Sequence, residues 1–374
     1  MKKIVHCNSS DTGGGVDLIL RDLLQSSDKA RYKHERFVIR RSDKFFDITK
    51  KIHNQLHGRP VSFTKEEISL YLTEGLDRVE QRFADYDCVV LHDPQTLPIV
   101  ARLKGYKPII WRCHIPIDAN SFIWQLMSPF VQMCDVSIFS NVDYVPVEIK
   151  NSRIFYPSIN PEALRNKALL KDEKLEMLKK LGIKEPYIVQ VSRFDRLKGI
   201  DELVETYARL EKVLPEYEFI LASNLPADDS EGREIFEDLS KKATDRVKIL
   251  KLSNDYETNQ KEVNTLQNMA KLVLLNSSRE GFGLVVTEAM LKGKPVLARA
   301  VGGIKLQVDH GINGFLLEPS RSLYEAVLGT LENLNNEKLV KDIASSAKEK
   351  VRKNFVIDIL LKNYENLVDS LLEN

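Results

Sequence analysis

Residues 276–291 read Asn-Ser-Ser-Arg-Glu-Gly-Phe-Gly-Leu-Val-Val-Thr-Glu-Ala-Met-Leu, and this stretch decides the fold class. The apolar run 272–275 precedes it and helix-forming residues follow its glycines, which predicts a buried strand, a tight loop and a helix. Glu280 then lies beyond the carboxyl end of the strand, and Glu288 lies about one turn into the helix. Ligands of open α/β sheets bind at that edge. Because ionised carboxylates only accept hydrogen bonds, the pair suits the hydroxyls of a phosphorylated sugar.

Length and composition predict a two-domain globular protein. The chain has 374 residues, and its 55 Lys and Arg residues nearly balance its 54 Asp and Glu residues. With a formal net charge of +1, it lacks the basic field typical of nucleic-acid-binding proteins. The four cysteines are widely spaced without a C-x-x-C motif, which favours free thiols in a reducing compartment. No apolar run approaches the roughly 20 residues that cross a bilayer, and no signal-peptide core is present, so we expect a cytoplasmic protein without a membrane partner.

Short apolar runs alternate with longer amphipathic stretches, which is typical of βαβ units and parallel sheets. A first series of strands is predicted at 3–7, 35–39, 88–91, 108–111 and 136–139. A second series is predicted at 187–191, 218–222, 247–251, 272–275, 295–298 and 314–317. Helices are predicted at 16–24, 65–82, 94–104, 123–133, 172–181, 323–334, 337–354 and 357–372. The fold class is therefore α/β, with two doubly wound, Rossmann-like parallel-sheet domains.

The boundary between the domains is predicted where the two series of strands meet. Pro157 and Pro161 lie there and disfavour helix in the residues just before them. We therefore expect an N-terminal domain over 1–158 and a C-terminal domain over 159–356. The tail 357–374 carries apolar residues at helical spacing, and we expect it to pack back on the N-terminal domain. Two such sheets facing one another would leave a cleft between their carboxyl edges.

Two loops that follow predicted strands carry groups suited to phosphate. Residues 8–15 include three consecutive glycines, which let a ligand approach the backbone closely. The loop is not G-x-G-x-x-G, so it does not indicate a dinucleotide site. Arg193 and Lys198 follow the first strand of the second series and could bind a diphosphate. A basic loop is more often simply solvated, but its expected place at the same sheet edge as Glu280 favours binding.

Two histidines follow neighbouring strands of the first series. His92, with Asp93 beside it, and His114 occupy equivalent strand-end positions. A lone histidine is usually structural, but this pair is a candidate for a polar site. The sequence contains no H-E-x-x-H, G-x-S-x-G or P-loop motif, which disfavours a catalytic metal site, a hydrolase of that type and an NTPase.

Taken together, the Glu280-x7-Glu288 pair, the loop of Arg193 and Lys198, and the glycine loop resemble retaining glycosyltransferases of family GT4, which have the GT-B fold. Within that family the chain is most similar to trehalose glycosyltransferring synthases, which make trehalose from a nucleotide-activated glucose and free glucose. The closer likeness spans nearly the whole chain and is carried by residues 8–9, 13–15, 45–46, 49–50, 53–54, 92–95, 111–114, 157–159, 192–195 and 300–305.

The resemblance implies an N-terminal acceptor domain and a C-terminal nucleotide-sugar donor domain. It implies that Arg193 and Lys198 bind the diphosphate, that Glu288 holds the ribose and that Glu280 contacts the transferred glucose. The implied catalytic residues are Arg193, Lys198, Glu280, Asp93 and His114. The implied donor-binding residues are Gly14, Gly15, Arg193, Lys198, Glu280, Gly281, Phe282, Gly283, Leu284 and Glu288. The implied acceptor-binding residues are His92, Asp93, Gln95, Arg112, His114, Lys50 and Asn54.

The leading prediction is a retaining glucosyltransferase that makes α,α-trehalose from a nucleoside-diphosphate glucose and glucose, in a reaction that could also run in reverse. No tightly bound cofactor and no metal ligands are predicted, although Mg²⁺ could stimulate by screening the diphosphate. Thr96-Leu97 and Pro116 depart from those synthases on the acceptor side, and His114-Ile115-Pro116 is similar to trehalose-6-phosphate synthase. Another GT4 enzyme acting on glucose-6-phosphate or glycerate therefore stays open, as does a non-catalytic nucleotide-sugar-binding protein. The base (UDP, ADP or GDP) and the oligomeric state, with a homodimer as one option, are not decided.

Overall fold

The chain forms two compact units, each built on its own parallel sheet. The computed structural model describes residues 2–9, 14–27, 30–76, 80–103, 105, 108–225, 230–318 and 320–373. Unit 1 comprises Met1–Asn160 together with Ile357–Asn374, and unit 2 comprises Pro161–Val356. The division after Asn160 falls just beyond the boundary expected after residue 158.

The sheet of unit 1 is parallel and six-stranded, with the order β2-β1-β3-β4-β5-β6. Its strands are β1 (Lys3–Asn8), β2 (Lys33–Val38), β3 (Cys88–His92), β4 (Ile109–Arg112), β5 (Val136–Phe139) and β6 (Ser152–Ile154). Its helices are α1 (Gly14–Ser26), α2 (Asp43–Leu56), α3 (Lys65–Gly75), α4 (Asp93–Thr96), α5 (Val100–Leu103), α6 (Phe122–Val131) and the C-terminal α15 (Ile357–Leu372). Helix α15 packs against α1.

Two predicted helices of unit 1 are wrong in extent. The single helix expected over 94–104 is broken into α4, a 3₁₀ turn at Leu97–Ile99 and α5. Pro98 lies inside this stretch, where it lacks an N–H and clashes with the preceding turn. The helix expected over 65–82 ends at Gly75, a poor helix former, and Glu80–Phe83 forms a separate 3₁₀ turn.

Helix α2 was not predicted, although its sequence carries the signals of a helix. Ser42 is the N-cap, and its side chain accepts a hydrogen bond from the backbone N–H of Phe45. The helix then buries apolar residues at helical spacing, namely Phe45, Ile48, Ile52 and Leu56. This face packs into the apolar core beneath the sheet of unit 1.

The sheet of unit 2 is also parallel and six-stranded, with the order β12-β11-β10-β7-β8-β9. Its strands are β7 (Tyr187–Val191), β8 (Glu218–Asn224), β9 (Val247–Leu252), β10 (Leu272–Leu275), β11 (Val296–Arg299) and β12 (Phe315–Leu317). Its helices are α7 (Lys171–Lys180), α8 (Ile200–Leu210), α9 (Ser230–Ser240), α10 (Tyr256–Met269), α11 (Leu284–Leu291), α12 (Ile304–Gln307), α13 (Leu323–Asn333) and α14 (Glu337–Asn354).

The order of strands in unit 2 brings two distant loops to one edge. Strand β10 pairs directly with β7, in a parallel register that sets Leu272 opposite Ile188. Both strands are fully buried and apolar except for Gln190 of β7, as expected at the centre of a parallel sheet. The loops that leave their carboxyl ends therefore start side by side, although about 80 residues separate them in sequence. These are the loops that contain Arg193, Lys198 and Glu280.

Candidate functional site

An ion pair joins the two loops at the carboxyl edge of the sheet of unit 2. Lys198 Nζ lies 2.7 Å from Glu280 Oε2, and the same oxygen accepts a hydrogen bond of 3.1 Å from Ser277 Oγ. Both charged side chains are largely shielded, with 17% and 14% of their surface exposed. A lysine ammonium beside a carboxylate, both reachable from solvent, can bind a phosphate and a hydroxyl next to one another.

Close packing of the backbone fixes the loop of Lys198 against the loop of Glu280. Gly199 has φ +63°, and a Cβ there would lie 2.1 Å from the carbonyl oxygen of Asn276. Ser278 N donates to the carbonyl of Leu197 at 2.8 Å. Asn276 Nδ2 in turn donates to the carbonyl of Gly199 at 2.9 Å. Lys198 and Glu280 are thus attached to main chain that has little freedom to shift.

The glycine-rich turn between β10 and α11 directs its carbonyl groups into the protein. Gly283, with φ +88°, is the N-cap of α11. The carbonyl of Gly281 accepts from Gly303 N at 3.2 Å, and the carbonyl of Phe282 accepts from Gln307 Nε2 at 2.5 Å. With these carbonyls engaged, the first N–H groups of α11, beginning at Leu284, are the polar backbone that this turn offers to a ligand.

Glu288 lies inside unit 2, in a network of charged and amide groups. Arg165 Nε lies 2.6 Å from its Oε1, and Gln267 Nε2 donates to its Oε2 at 2.8 Å. Lys292 Nζ donates to Gln267 Oε1 at 2.8 Å and to Asn166 Oδ1 at 3.3 Å. Burial lowers the pKa of Lys292 to about 7, against the opposing pull of Glu288. Only 2% of the Glu288 side chain is exposed, so a ligand hydroxyl can reach it only if these contacts rearrange.

Arg193, predicted to bind the diphosphate, is placed at the same edge but points to solvent. Its guanidinium lies 3.2 Å from Asp195 Oδ2, and 63% of the side chain is exposed. A long, exposed guanidinium of this kind can change rotamer to contact an incoming anion. Gly14 and Gly15, also predicted to contact the donor, begin α1 in unit 1, and residues 10–13 of their loop lie outside the described residues.

In unit 1, Asp93 lies at the carboxyl end of β3 in a strained conformation. It has φ +60°, which is unusual for a residue other than glycine. Its Oδ1 accepts from the backbone N–H of His114 at 2.8 Å, and its carbonyl accepts from Trp111 Nε1 at 3.2 Å. Burial raises the pKa of Asp93 to about 7. Backbone strain together with a raised pKa is typical of functional carboxylates.

The other residues that were predicted to bind the acceptor differ in burial and in their hydrogen-bond partners. His92 Nδ1 lies 2.8 Å from His114 Nε2, so the two predicted histidines meet. Arg112 is buried, and its guanidinium donates to the carbonyl of Phe155 at 2.7 Å and to that of Phe139 at 3.1 Å. The remaining three residues are a partly buried Gln95, an exposed Lys50 and a partly buried Asn54.

Sequence reasoning missed the groups that position Glu288. Arg165 lies 123 residues before Glu288 in the chain, and Gln267 lies within the polar sequence of α10. No local motif marks either of them. Only the folded packing of α10 against α11 reveals their role.

Comparison with known proteins identifies the family. Residues 6–146 match the family model described as the N-terminal domain of trehalose synthase, and residues 173–350 match the one described as glycosyl transferases group 1. The trehalose synthase of Pyrococcus horikoshii is 37% identical over 379 residues, which cover 99% of this chain and 90% of the relative. The chain belongs to the trehalose synthase family of glycosyltransferases.

Solved structures confirm the GT-B fold of this family member. The Anabaena protein HepE, solved in complex with UDP and glucose, superposes with a TM-score of 0.74 at 20% identity, covering 99% of this chain and 100% of that one. The trehalose-6-phosphate synthase OtsA gives a TM-score of 0.76 at 14% identity, covering 99% of both chains. At such identities the likeness concerns the fold alone. The predicted fold class is therefore confirmed. The prediction of a glycosyltransferase is confirmed by the family model over residues 173–350 and by the trehalose synthase relative.

Within the described ranges, no helix is both long and apolar enough to cross a bilayer. The same ranges contain no group of three or more His, Cys, Asp or Glu side chains arranged to hold a metal ion.

Proposed function

We propose that this protein is a retaining glucosyltransferase that joins glucose from a nucleoside-diphosphate glucose to free glucose, giving α,α-trehalose and the nucleoside diphosphate. The observation that carries the proposal is the Lys198–Glu280 pair at the carboxyl edge of unit 2, in a chain of the trehalose synthase family. One member of the pair suits a phosphate and the other suits the hydroxyls of a sugar.

The proposed role of Lys198 and Arg193 is to stabilise the departing diphosphate. Negative charge grows on the leaving oxygen as the bond to the glucose C1 atom breaks, and cations fixed beside it stabilise the transition state more than the ground state. Lys198 is held in place by Glu280, whereas the exposed Arg193 would close on the phosphate when the donor binds. Glu288, oriented by Arg165 and Gln267, would accept the ribose hydroxyls.

The proposed stereochemical course is attack from the face that the diphosphate leaves. The acceptor oxygen forms a bond to C1 while the bond from C1 to the phosphate oxygen breaks, and a diphosphate oxygen takes the acceptor proton. Glu280 supports this course because Lys198 and Ser277 both engage its Oε2, which weakens it as a nucleophile. A covalent glucosyl-enzyme trapped at Glu280 or Asp93 would contradict it.

The proposed acceptor groups are Asp93 and His114 in unit 1. The Asp93 carboxylate accepts a hydrogen bond from the backbone N–H of His114, which links the two residues. A carboxylate with a pKa raised to about 7 can accept a hydrogen bond from a sugar hydroxyl near neutral pH. Among nucleotides we propose UDP-glucose as the donor, because HepE was solved in complex with UDP and glucose.

The proposal includes no tightly bound cofactor. Mg²⁺ would act by screening the diphosphate of the donor rather than through protein ligands, so a chelator would lower turnover without abolishing donor binding. A second candidate acceptor is glucose-6-phosphate, which the stretch His114-Ile115-Pro116 favours through its similarity to trehalose-6-phosphate synthase.

A matrix of donors and acceptors tests the proposal. Purified protein is incubated with UDP-, ADP- or GDP-glucose and with glucose, glucose-6-phosphate or glycerate, and both the sugar product and diphosphate release are measured. We expect trehalose from free glucose, with UDP-glucose the best donor, and no product from Glu280→Gln. Product only from glucose-6-phosphate or glycerate would move the function to that acceptor. Tight donor binding without turnover on any acceptor would indicate a non-catalytic protein.

A further inference from the structure

Four histidines form a continuous hydrogen-bonded chain across the sheet of unit 1. His34 lies on β2, His6 on β1 and His92 on β3, and His114 follows β4, so the four come from neighbouring strands. Each step moves one strand across the sheet and two residues along it. His34 is opposite Ile4 in the register, two residues before His6. This regular diagonal is the basis of what we call the histidine chain, His34–His6–His92–His114.

Every link in the histidine chain joins the Nδ1 atom of one ring to the Nε2 atom of another. His34 Nδ1 lies 2.9 Å from His6 Nε2, and His6 Nδ1 lies 3.0 Å from His92 Nε2. The last link joins His92 Nδ1 to His114 Nε2 at 2.8 Å. A neutral imidazole has one N–H and one acceptor nitrogen. Because each link needs one donor and one acceptor, neutral rings must all carry their proton on the same type of nitrogen.

The environment keeps these rings neutral. His6, His34 and His92 are almost completely buried. Burial is the main cause that lowers the pKa of every ring in the chain, to about 4 in the case of His34. Neighbouring imidazoles and the guanidinium groups of Arg36 and Arg112 lower the pKa values further.

Either direction of the N–H bonds satisfies all three links, but the same direction must run through the whole histidine chain. His34 Nε2, at one end of the chain, has no hydrogen-bond partner within the described residues. The tautomer of each ring is therefore fixed by that of its neighbour.

We propose that His34, His6 and His92 are positioning residues that hold His114 neutral and in the same tautomer as the rest of the histidine chain. The Nδ1 atom of His114 then has one fixed hydrogen-bond role, as donor or as acceptor, at the carboxyl edge of β4. A sugar hydroxyl that meets this atom must take the complementary role. The sugar part of this inference rests on the proposed function, but the tautomer of His114 does not.

Nitrogen NMR on the intact wild-type protein tests the tautomers directly. Long-range proton–nitrogen spectra distinguish Nε2–H from Nδ1–H imidazoles, and nitrogen–nitrogen couplings across the hydrogen bonds connect the rings in order. We expect four neutral rings of one and the same tautomer, linked in sequence near neutral pH, whatever sugar the enzyme uses. A mixture of the two tautomers among the four positions, or an imidazolium ring at any of them, would overturn the proposal.

A variant two links away from His114 tests the positioning role. His6→Phe removes the centre of the histidine chain while keeping a ring of similar size. We expect the signals of His114 to shift to mixed tautomers and kcat to fall about fivefold, the effect of losing one neutral hydrogen bond, with unchanged donor affinity. His310→Gln in unit 2, outside the chain, should change neither. If His6→Phe folds and leaves the His114 signals unchanged, the proposal is wrong; if it fails to fold, the wild-type spectrum decides.

Discussion

Lys198 and Glu280 lie 82 residues apart in sequence, and their side chains form an ion pair of 2.7 Å. The pair exists because β7 and β10 are neighbours in the sheet, so the loops after them share one edge. An incoming diphosphate would compete with Glu280 for the ammonium group of Lys198. Donor binding and the orientation of Glu280 are therefore coupled through this contact.

Replacing Lys198 by Met should lower kcat by about 10²-fold to 10³-fold, because a fixed cation that stabilises the leaving charge is lost. The measurement is steady-state diphosphate release with saturating donor. Arg196→Met is the matched control, since Arg196 lies in the same turn but pairs with Asp201. Equal activity of the two variants would remove Lys198 from the proposed mechanism.

Replacing Arg165 by Met should destabilise unit 2 by about 3 kcal/mol, because it leaves the buried carboxylate of Glu288 without its main counter-charge. The same variant should weaken donor binding, since Glu288 loses its orientation. Denaturant unfolding and donor titration measure the two effects. Lys338→Met removes an exposed pair with Asp342 and should change stability by less than about 0.5 kcal/mol. A similarly small change for Arg165→Met would show that the buried pair contributes little.

Replacing Gly199 by Ala should disrupt the junction between the two loops. The added Cβ would lie 2.1 Å from the carbonyl oxygen of Asn276, and φ +63° is itself unfavourable for alanine. Gly182→Ala is the control, because Gly182 has φ +67° but no atom within 4 Å of the added Cβ. We expect about 1 kcal/mol of destabilisation at Gly182 and a larger loss, with reduced turnover, at Gly199. Equal thermal stability of the two variants would contradict the close approach.

The activity should rise with pH through about 7, because burial raises the pKa of Asp93 to that value. Below it the carboxyl is protonated and accepts a hydrogen bond from the hydroxyl of the acceptor sugar only weakly; above it the charged carboxylate forms a stronger hydrogen bond with that hydroxyl. Asp93→Asn should give a flat pH profile and about 10²-fold lower kcat/KM. Asp85→Asn, an exposed change in the same unit, should keep the wild-type profile. A pH-dependent rise that persists in Asp93→Asn would assign the titration to another group.

The same pKa shift has a consequence for stability. The folded state binds the proton of Asp93 more tightly than the unfolded state, whose pKa is near the ordinary value of 3.8. The contribution of this residue to the free energy of unfolding therefore decreases as pH rises from about 3.8 to about 7. Asp93→Asn should remove this part of the pH dependence in denaturant unfolding.

Several fully buried strands could be predicted well from sequence. Strands β5, β7 and β10 match their predicted ranges because each is buried and mostly apolar, with Ser137 in β5 and Gln190 in β7 as the polar exceptions. Strand β6 was missed because Ser-Arg-Ile at a sheet edge is short and mostly polar. The helices of unit 1 were less predictable, since Pro98 breaks one of them through a local clash that a count of apolar residues does not detect.

The loops of the candidate site could be placed from sequence, but their supporting groups could not. Lys198 and Glu280 lie in the loops that follow β7 and β10, so the order of the strands brings them to one edge. Arg165 reaches Glu288, and His34 reaches His6, only through tertiary packing between segments that have no common motif. Such contacts depend on how distant segments pack in the folded protein, which a single sequence does not reveal.

Proton NMR of the reaction of UDP-glucose with free glucose tests the central claim most directly. Followed over time, the spectrum reports both the new glycosidic bond and its anomeric configuration. The account predicts a single new anomeric signal, that of symmetric α,α-trehalose, growing in step with release of the diphosphate and absent with Glu280→Gln. A product containing a β-linked glucose, or a disaccharide formed only from glucose-6-phosphate, would contradict it.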